Sequence, residues 1–481
     1  MKRVSFVAAA HPRPWVSEAG AADYRIAIAS RTHRALARGW LMLAVAALAL
    51  SGVFSLLLVL SRTPGLQQLF PVADFFRVAL VVHVDLSVLV WFVAFAGVLW
   101  SLSCDARGAA LGWSALAFGA VGTAVMSVAP FVERAAPIMA NYIPVLDGPV
   151  FLGGLIALAL GLALAVLRTL LFTPPVRDRL DGAGAIRLGL LAGAFCAAVA
   201  LFAFVWSWRA LPSAVDPRTY YEVLFWGGGH VLQFAWTLLL LVAWLWLADA
   251  IGARLPLKPR VVLVLFALAL VLVLATPFVY LAWDVTSVEH RRVLTWMMRL
   301  GGGLAILPIG LALVIGVADL RVLAPRLRPL RGALVMSLLL FAAGGLIGFA
   351  ISGSNVKIPA HYHGCIVGIT LALMGVAYEL LPRLGFRAPD ARLASWQPYV
   401  YGVGQLLHIG GLVWSGGYGV QRKVAGAEQV LGNLQQVAGM GMMGLGGLIA
   451  VVGGMLFLVV VVRAVWPPGE KAIAAQQGLG I

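Results

Sequence analysis

The chain reads as an all-α integral membrane protein of twelve transmembrane helices. Three observations predict this fold class. Of the 481 residues, 62% are hydrophobic and 11% are charged, against about 25% charged in a soluble domain. The apolar residues run unbroken for about 20 at a time, the length of a membrane-spanning helix, instead of alternating over ten-residue segments as in a transmembrane β-barrel. The 35 Lys and Arg residues are sorted between alternate loops. A water-soluble chain this apolar would expose a greasy surface that monomers rarely carry. The composition therefore excludes a soluble α/β enzyme, a disordered tail protein and a disulfide-stapled secreted domain. Membrane lipid is the first partner implied. The net charge of +16 reads as basic loops that orient the helices, not as a nucleic-acid surface. Cys104, Cys196 and Cys365 are scattered, so no disulfide framework is expected. CxxCH, CxxC and Walker patterns are all absent.

In chain order the spans lie at 39–60, 78–102, 111–131, 148–171, 186–207, 222–248, 261–283, 295–318, 332–352, 359–381, 396–415 and 437–463. Residues 1–38 are polar and hold seven Lys or Arg, unlike a cleavable signal peptide with its early apolar core. They are read as a cytoplasmic basic segment, residues 39–464 as one twelve-helix transmembrane domain, and residues 465–481, beyond the stop WPPGE, as a short cytoplasmic tail. The N-terminal segment and every second loop after it hold 24 of the 35 Lys and Arg. The richer side faces the cytoplasm, which puts both termini inside a bacterial-type plasma membrane.

Ionisable residues within spans are functional suspects by default. Among the eight histidines, His11 and His33 belong to the basic segment and read as solvated. His83 sits six residues into span 2 and His230 eight into span 6, both entered from the outer face. At 1.5 Å per residue this is a depth of about 9–12 Å. His361 and His363 open span 10, His290 lies between spans 7 and 8, and His408 is in the outer half of span 11. Four histidines at one depth on three spans point to metal or haem ligation. His361 and His363 are about 200° apart around a helix, so one helix can serve two cofactors, one on each side. His83 can complete one site as a bis-His haem; the other keeps an open face towards His230.

These segments resemble subunit I of the haem–copper oxidase superfamily, which includes cytochrome c oxidases and nitric oxide reductases. SNVKIPAHYHGCIVGITLALMG resembles that family's tenth helix, FFRVALVVHVDLSVLVWF its second and YEVLFWGGGHVLQF its sixth; GGYGVQRKVAG is similar to its loop for haem propionates. The resemblance implies a haem–copper oxidase subunit I-like bundle with two haems. By position, His83 and His363 would be the axial ligands of a low-spin haem, and His361 the proximal ligand of a high-spin haem. His230 would bind a second metal, and Arg422 and Lys423 would pair with propionates.

The sequence departs from the family where function is decided. Leu281 and Ala282 stand where the family carries two copper-binding histidines, and Phe234 replaces a tyrosine or glutamate four residues after the span 6 histidine. Gln233 is polar and adjacent, a candidate beside His230 as substitute ligand or donor to bound gas. Copper is not expected. A second metal, if held, is expected to be non-haem iron on His230 with at least one of Asp284, Glu289 and His290, since carboxylate and imidazole favour iron over copper(I). The inner halves of spans 6, 7 and 8 lack Lys, Glu, Ser and Tyr at mid-depth, so no pumping path is expected. The expected activity is reduction of a diatomic gas, NO favoured over O2. Electrons would come from a companion subunit, a soluble cytochrome c-like protein or a cupredoxin. An O2 reductase of the cytochrome c oxidase type stays open, as does a non-enzymatic two-haem electron-transfer or gas-sensing subunit without the second metal. A transporter would need broken-helix pairs or inverted repeats and leaves HYH unexplained.

Overall fold

The computed structural model describes residues 23–28, 30–60, 75–176, 180–212, 214–301, 303–320, 322–422 and 430–466. Lys423, most of the basic N-terminal segment and most of the C-terminal tail lie outside the described residues. The twelve expected spans appear in order as Arg31–Leu60, Phe75–Ser103, Ala109–Val132, Pro149–Phe172, Gly182–Ala210, Pro217–Ala250, Pro259–Ala282, Val288–Ala318, Arg328–Phe349, Lys357–Arg383, Ala391–Gly417 and Leu434–Val465. Eleven of the described helices are long and apolar enough to cross a membrane. Span 11, Ala391–Gly417, has 27 residues but is less apolar, because it carries Arg392, Gln397, Gln405 and His408. Span 1 begins at Arg31, eight residues before its apolar stretch. Arg38 accounts for part of this extension. It donates to the Leu384 carbonyl at 2.5 Å and lies over the Phe386 ring, so the basic turn is docked on the end of span 10.

Spans 6 and 10 form the centre. In their apolar windows 89% and 83% of residues are buried, against 33–67% elsewhere, so these two helices are read by protein on all sides and the others partly by lipid. Without a hydrophobic drive between helices, close approach of small residues supplies much of the packing. A Cβ on Gly364 of span 10 would meet Gly344 Cα of span 9 at 2.6 Å, and one on Gly344 would meet the Cys365 nitrogen at 2.6 Å.

Two spans are irregular where they matter. Span 2 is α-helical over Phe75–Val84, a π-helix over Asp85–Val90, and α-helical again over Trp91–Ser103. Such π-segments concentrate at functional sites; this one follows His83 directly. Span 7 breaks after Leu274 and resumes at Thr276–Ala282, where Pro277 cannot donate into the preceding turn. Between spans 3 and 4 the chain forms an antiparallel hairpin, β1 (Ala136–Ile138) and β2 (Val145–Asp147), with Ala136 opposite Asp147 and Ile138 opposite Val145. The Glu133 carboxylate before it accepts from Val150 N and Phe151 N, at 2.9 and 2.8 Å. It thereby satisfies free amides at the start of span 4 and favours the helix dipole.

The Gly344 contact sets one expectation. Gly344→Ala places a methyl against backbone with no flexible neighbour to yield, and overpacking of this kind costs about 1–3 kcal/mol. The variant should show a lower melting temperature in detergent by size-exclusion monitored unfolding, whereas Gly345→Ala, with nothing within 4 Å, should not.

Candidate functional site

Three of the expected ligand histidines share one local arrangement with His408. His83 Nδ1 lies 2.9 Å from the Ser51 carbonyl oxygen, and His361 Nδ1 lies 2.7 Å from the Gly344 carbonyl. His230 Nδ1 lies 2.8 Å from the Trp226 carbonyl, and His408 Nδ1 lies 3.0 Å from the Met443 carbonyl. A carbonyl only accepts, so Nδ1 carries the proton in each case and Nε2 keeps the lone pair. Metal-bound histidines are oriented this way by their second nitrogen.

The surroundings hold these rings in place. Ser51, in apolar span 1, also donates to the His83 carbonyl at 3.1 Å. Gly348 makes room for His361: a Cβ there would lie 2.8 Å from the imidazole. His363 stacks on Tyr362 and packs on His408, with ring centroids 5.2 and 4.9 Å apart. It is also within electrostatic range of His83. Among the described residues its ring makes no hydrogen bond. His83, His361 and His363 are set deep in the bundle yet only partly buried, and Tyr362 between the last two is 43% exposed.

Backbone pairing brings the loop after span 11 to the same place. Asn355 and Gln421 form an antiparallel bridge, and Val356 N donates to the Val420 carbonyl at 3.1 Å. Arg422 is thereby held half-buried beside the start of span 10, close enough to act electrostatically on Tyr362. Its forked donors suit a carboxylate.

The match to known proteins follows this geometry. The family described as cytochrome c and quinol oxidase polypeptide I matches residues 35–466. The chain belongs to that family. It is similar to an uncharacterized protein of Rickettsia prowazekii, 27% identical over 89% of this chain and 95% of the relative. It is also similar to an uncharacterized protein of Aquifex aeolicus, 28% identical over 75% and 88%. Its fold resembles a heme-copper terminal oxidase solved as a dimer by cryo-EM, with TM-score 0.66, 14% identity, and coverage of 92% of this chain and 85% of that one. Subunit I chains of this type are multi-pass membrane oxidoreductases of respiration that carry haem.

The haem positions pass a chemical test on this chain. His83 and His361 present unpaired Nε2 lone pairs, and His363 a ring without hydrogen bonds among the described residues. A haem bound there would be held by His83 with His363, and a second by His361, with Arg422 available to a propionate.

The second-metal set does not assemble as expected. Asp284 and Glu289 are exposed. Asp284 turns its carboxylate back on its own loop, accepting from Thr286 N at 2.8 Å and Thr286 Oγ1 at 2.5 Å, because buried Val285 pins the turn inward beside it. These bonds hold the Asp284 carboxyl below the usual range. Glu289 stays in the first turn of span 8, where the helix dipole favours it. His290 is 1% exposed but packs edge-on against Tyr280, ring centroids 4.6 Å apart. Leu281, at a family copper position, is 71% exposed. No group of three or more His, Cys, Asp or Glu able to hold a metal occurs among the described residues. Gln233 lies on span 6 with a buried Oε1 that has no partner, while Phe234 is buried against the Gly301 position of span 8.

His230 instead meets two residues that sequence reasoning passed over. Its Nε2 lies 2.9 Å from the Tyr142 hydroxyl and 3.3 Å from Thr295 Oγ1. Thr295 Oγ1 donates to the Arg291 carbonyl at 2.8 Å, so Tyr142 is the donor to His230. Burial first, and the charge of Glu222 second, push the Tyr142 phenol well up, which keeps it a donor. The WGGGH run carried the only hint. A Cβ on Gly227 would strike Tyr280, one on Gly228 would strike Phe204, and one on Gly229 would strike the Tyr142 ring. Each glycine seats one aromatic ring on span 6.

Two variants check the ligand assignment. His83→Ala should abolish the six-coordinate low-spin absorption in a reduced-minus-oxidised spectrum while the His361 haem remains. Gly348→Val should displace the His361 ring and cut the second haem by at least half, with the low-spin signal retained.

Proposed function

We propose that the chain is a membrane reductase of a diatomic gas, NO in preference to O2, fed by an external cytochrome c-like protein or cupredoxin. The observation that carries this reading is the trio of histidines on spans 2 and 10. They offer ligands for two haems on opposite sides of one helix, in a chain of the oxidase subunit I family. Bound haem would supply one-electron chemistry and an open coordination position for gas. The protein's part is to fix the ligand rings through the Ser51 and Gly344 carbonyls, to place Arg422 against a propionate, and to keep the site dry. NO is preferred because its reduction needs no O–O cleavage, Phe234 stands where the family tyrosine would, and the Tyr142 hydroxyl is committed to His230.

Pumping is not part of the proposal. One polar pair between spans 6, 9 and 10 is spent on packing: Trp244 donates to Ser337 Oγ at 2.7 Å, and Ser337 donates to the Gly368 carbonyl at 2.6 Å. A closed pair of this kind does not relay a proton. The commitment of His230 to Tyr142 favours a second reading, a two-haem electron-transfer or gas-sensing subunit.

Turnover separates them. Haem-loaded protein in vesicles, given a chemical reductant with a mediator, should consume NO at least tenfold faster than O2 and eject no protons in an uncoupler-sensitive manner. Faster O2 consumption would replace NO by O2 in the proposal. Gas binding without turnover would establish the second reading.

A further inference from the structure

The His230 position is where the family holds its second metal, and both nitrogens of His230 are already committed. Nδ1–H donates to Trp226 O, and Nε2 accepts from Tyr142. The ring is 3% exposed. The donor is not there by accident of a loose loop. The hairpin that carries Tyr142 is latched to span 6 at two further points. The Asn141 backbone and side chain both donate to Glu222, and Tyr221 donates to Asp147 at 2.7 Å. Gly229 supplies the gap into which the Tyr142 ring fits, and the Tyr142, Trp226 and His230 rings pack on one another at 4.8–6.0 Å.

Electrostatics agree with the geometry. A divalent ion at His230 would bring two positive charges into a buried site where the described residues offer at most two neutral imidazoles, His230 and the nearby His290, and no metal-holding group of three. Buried charge without compensation is strongly unfavourable, and divalent ions ordinarily take four or more ligands. The neutral Tyr142–His230 pair has no such cost.

We propose that Tyr142 is a positioning residue that fills the ligand nitrogen of His230, so that this chain takes no metal there and its gas site is mononuclear. The pair ties the β1–β2 hairpin to span 6, with Thr295 of span 8 beside it, and closes one end of the bundle over the haem region. This holds whether or not the chain turns over NO, so the test reads metals and spectra instead of rate.

The protein is produced with haem, iron and copper in excess, then dialysed against a chelator. Expected are an iron-to-haem ratio of 1, less than a tenth of a copper or zinc per chain, and a ferric high-spin resonance in the oxidised protein that integrates to one haem. A neighbouring paramagnetic ion would couple to that iron and suppress the signal. In protein labelled with nitrogen-15 histidine, Tyr142→Phe should move one Nε2 resonance and leave both metal ratios unchanged; a merely structural tyrosine would move none. The proposal is overturned by one copper or non-haem iron per chain that His230→Ala removes with haem retained. It is equally overturned by a silent high-spin haem whose signal returns on metal extraction, or by a nitrogen spectrum indifferent to Tyr142→Phe. Should His230→Ala fail to fold, the isosteric Tyr142→Phe and the metal ratios of the unaltered protein still decide the matter.

Discussion

A hydrogen bond from histidine Nδ1 to a backbone carbonyl is the interaction on which the candidate site depends. It recurs at His83, His230, His361 and His408, with four different carbonyls on four helices. Each bond settles a tautomer, a ring orientation and the direction in which Nε2 points. At His83 and His361 the Nε2 lone pair is left free, whereas at His230 the Tyr142 hydroxyl reaches it. One local rule thus produces two chemical outcomes, and the difference lies in a hydroxyl delivered from a loop 88 residues earlier in the chain.

Helix packing places those carbonyls. His361 reaches Gly344 because spans 9 and 10 approach through bare glycine backbone, and His83 reaches Ser51 because spans 1 and 2 are neighbours. The same closeness explains why the centre tolerates polar histidines among apolar residues. A buried donor without an acceptor costs about 1–3 kcal/mol, and at His83, His230, His361 and His408 a main-chain oxygen is at hand.

Much of the architecture was legible in the sequence because hydropathy and charge are read residue by residue. Twelve apolar runs gave twelve helices, and the separation of His361 from His363 by one residue already set them on opposite faces. Among the described residues the second-metal candidates form no group of three, for a reason of the same kind. Asp284, Glu289 and His290 are near His230 along the path of spans 7 and 8, but nearness along a chain says nothing of which way a turn faces. Val285 goes inward and takes the turn with it, so Asp284 goes outward. Tyr142 and Thr295 were invisible for the converse reason: neither carries a motif, and their meeting with His230 is a property of three elements brought together. The glycine triplet was visible, but its meaning, three seats for three rings, needed the neighbours that fill them.

The π-segment of span 2 has a consequence for how this helix can diverge. A π-turn holds one residue more than the α-turn it replaces, so the helix below Val90 is rotated relative to the helix that carries His83. All thirteen residues from Trp91 to Ser103 are buried and are constrained by a jigsaw of neighbours quite different from the Ser51 contact above. The wide turn acts as a swivel between the two. Substitutions that re-register the lower half can be absorbed there without turning the imidazole, so the two halves of span 2 are free to accumulate change independently.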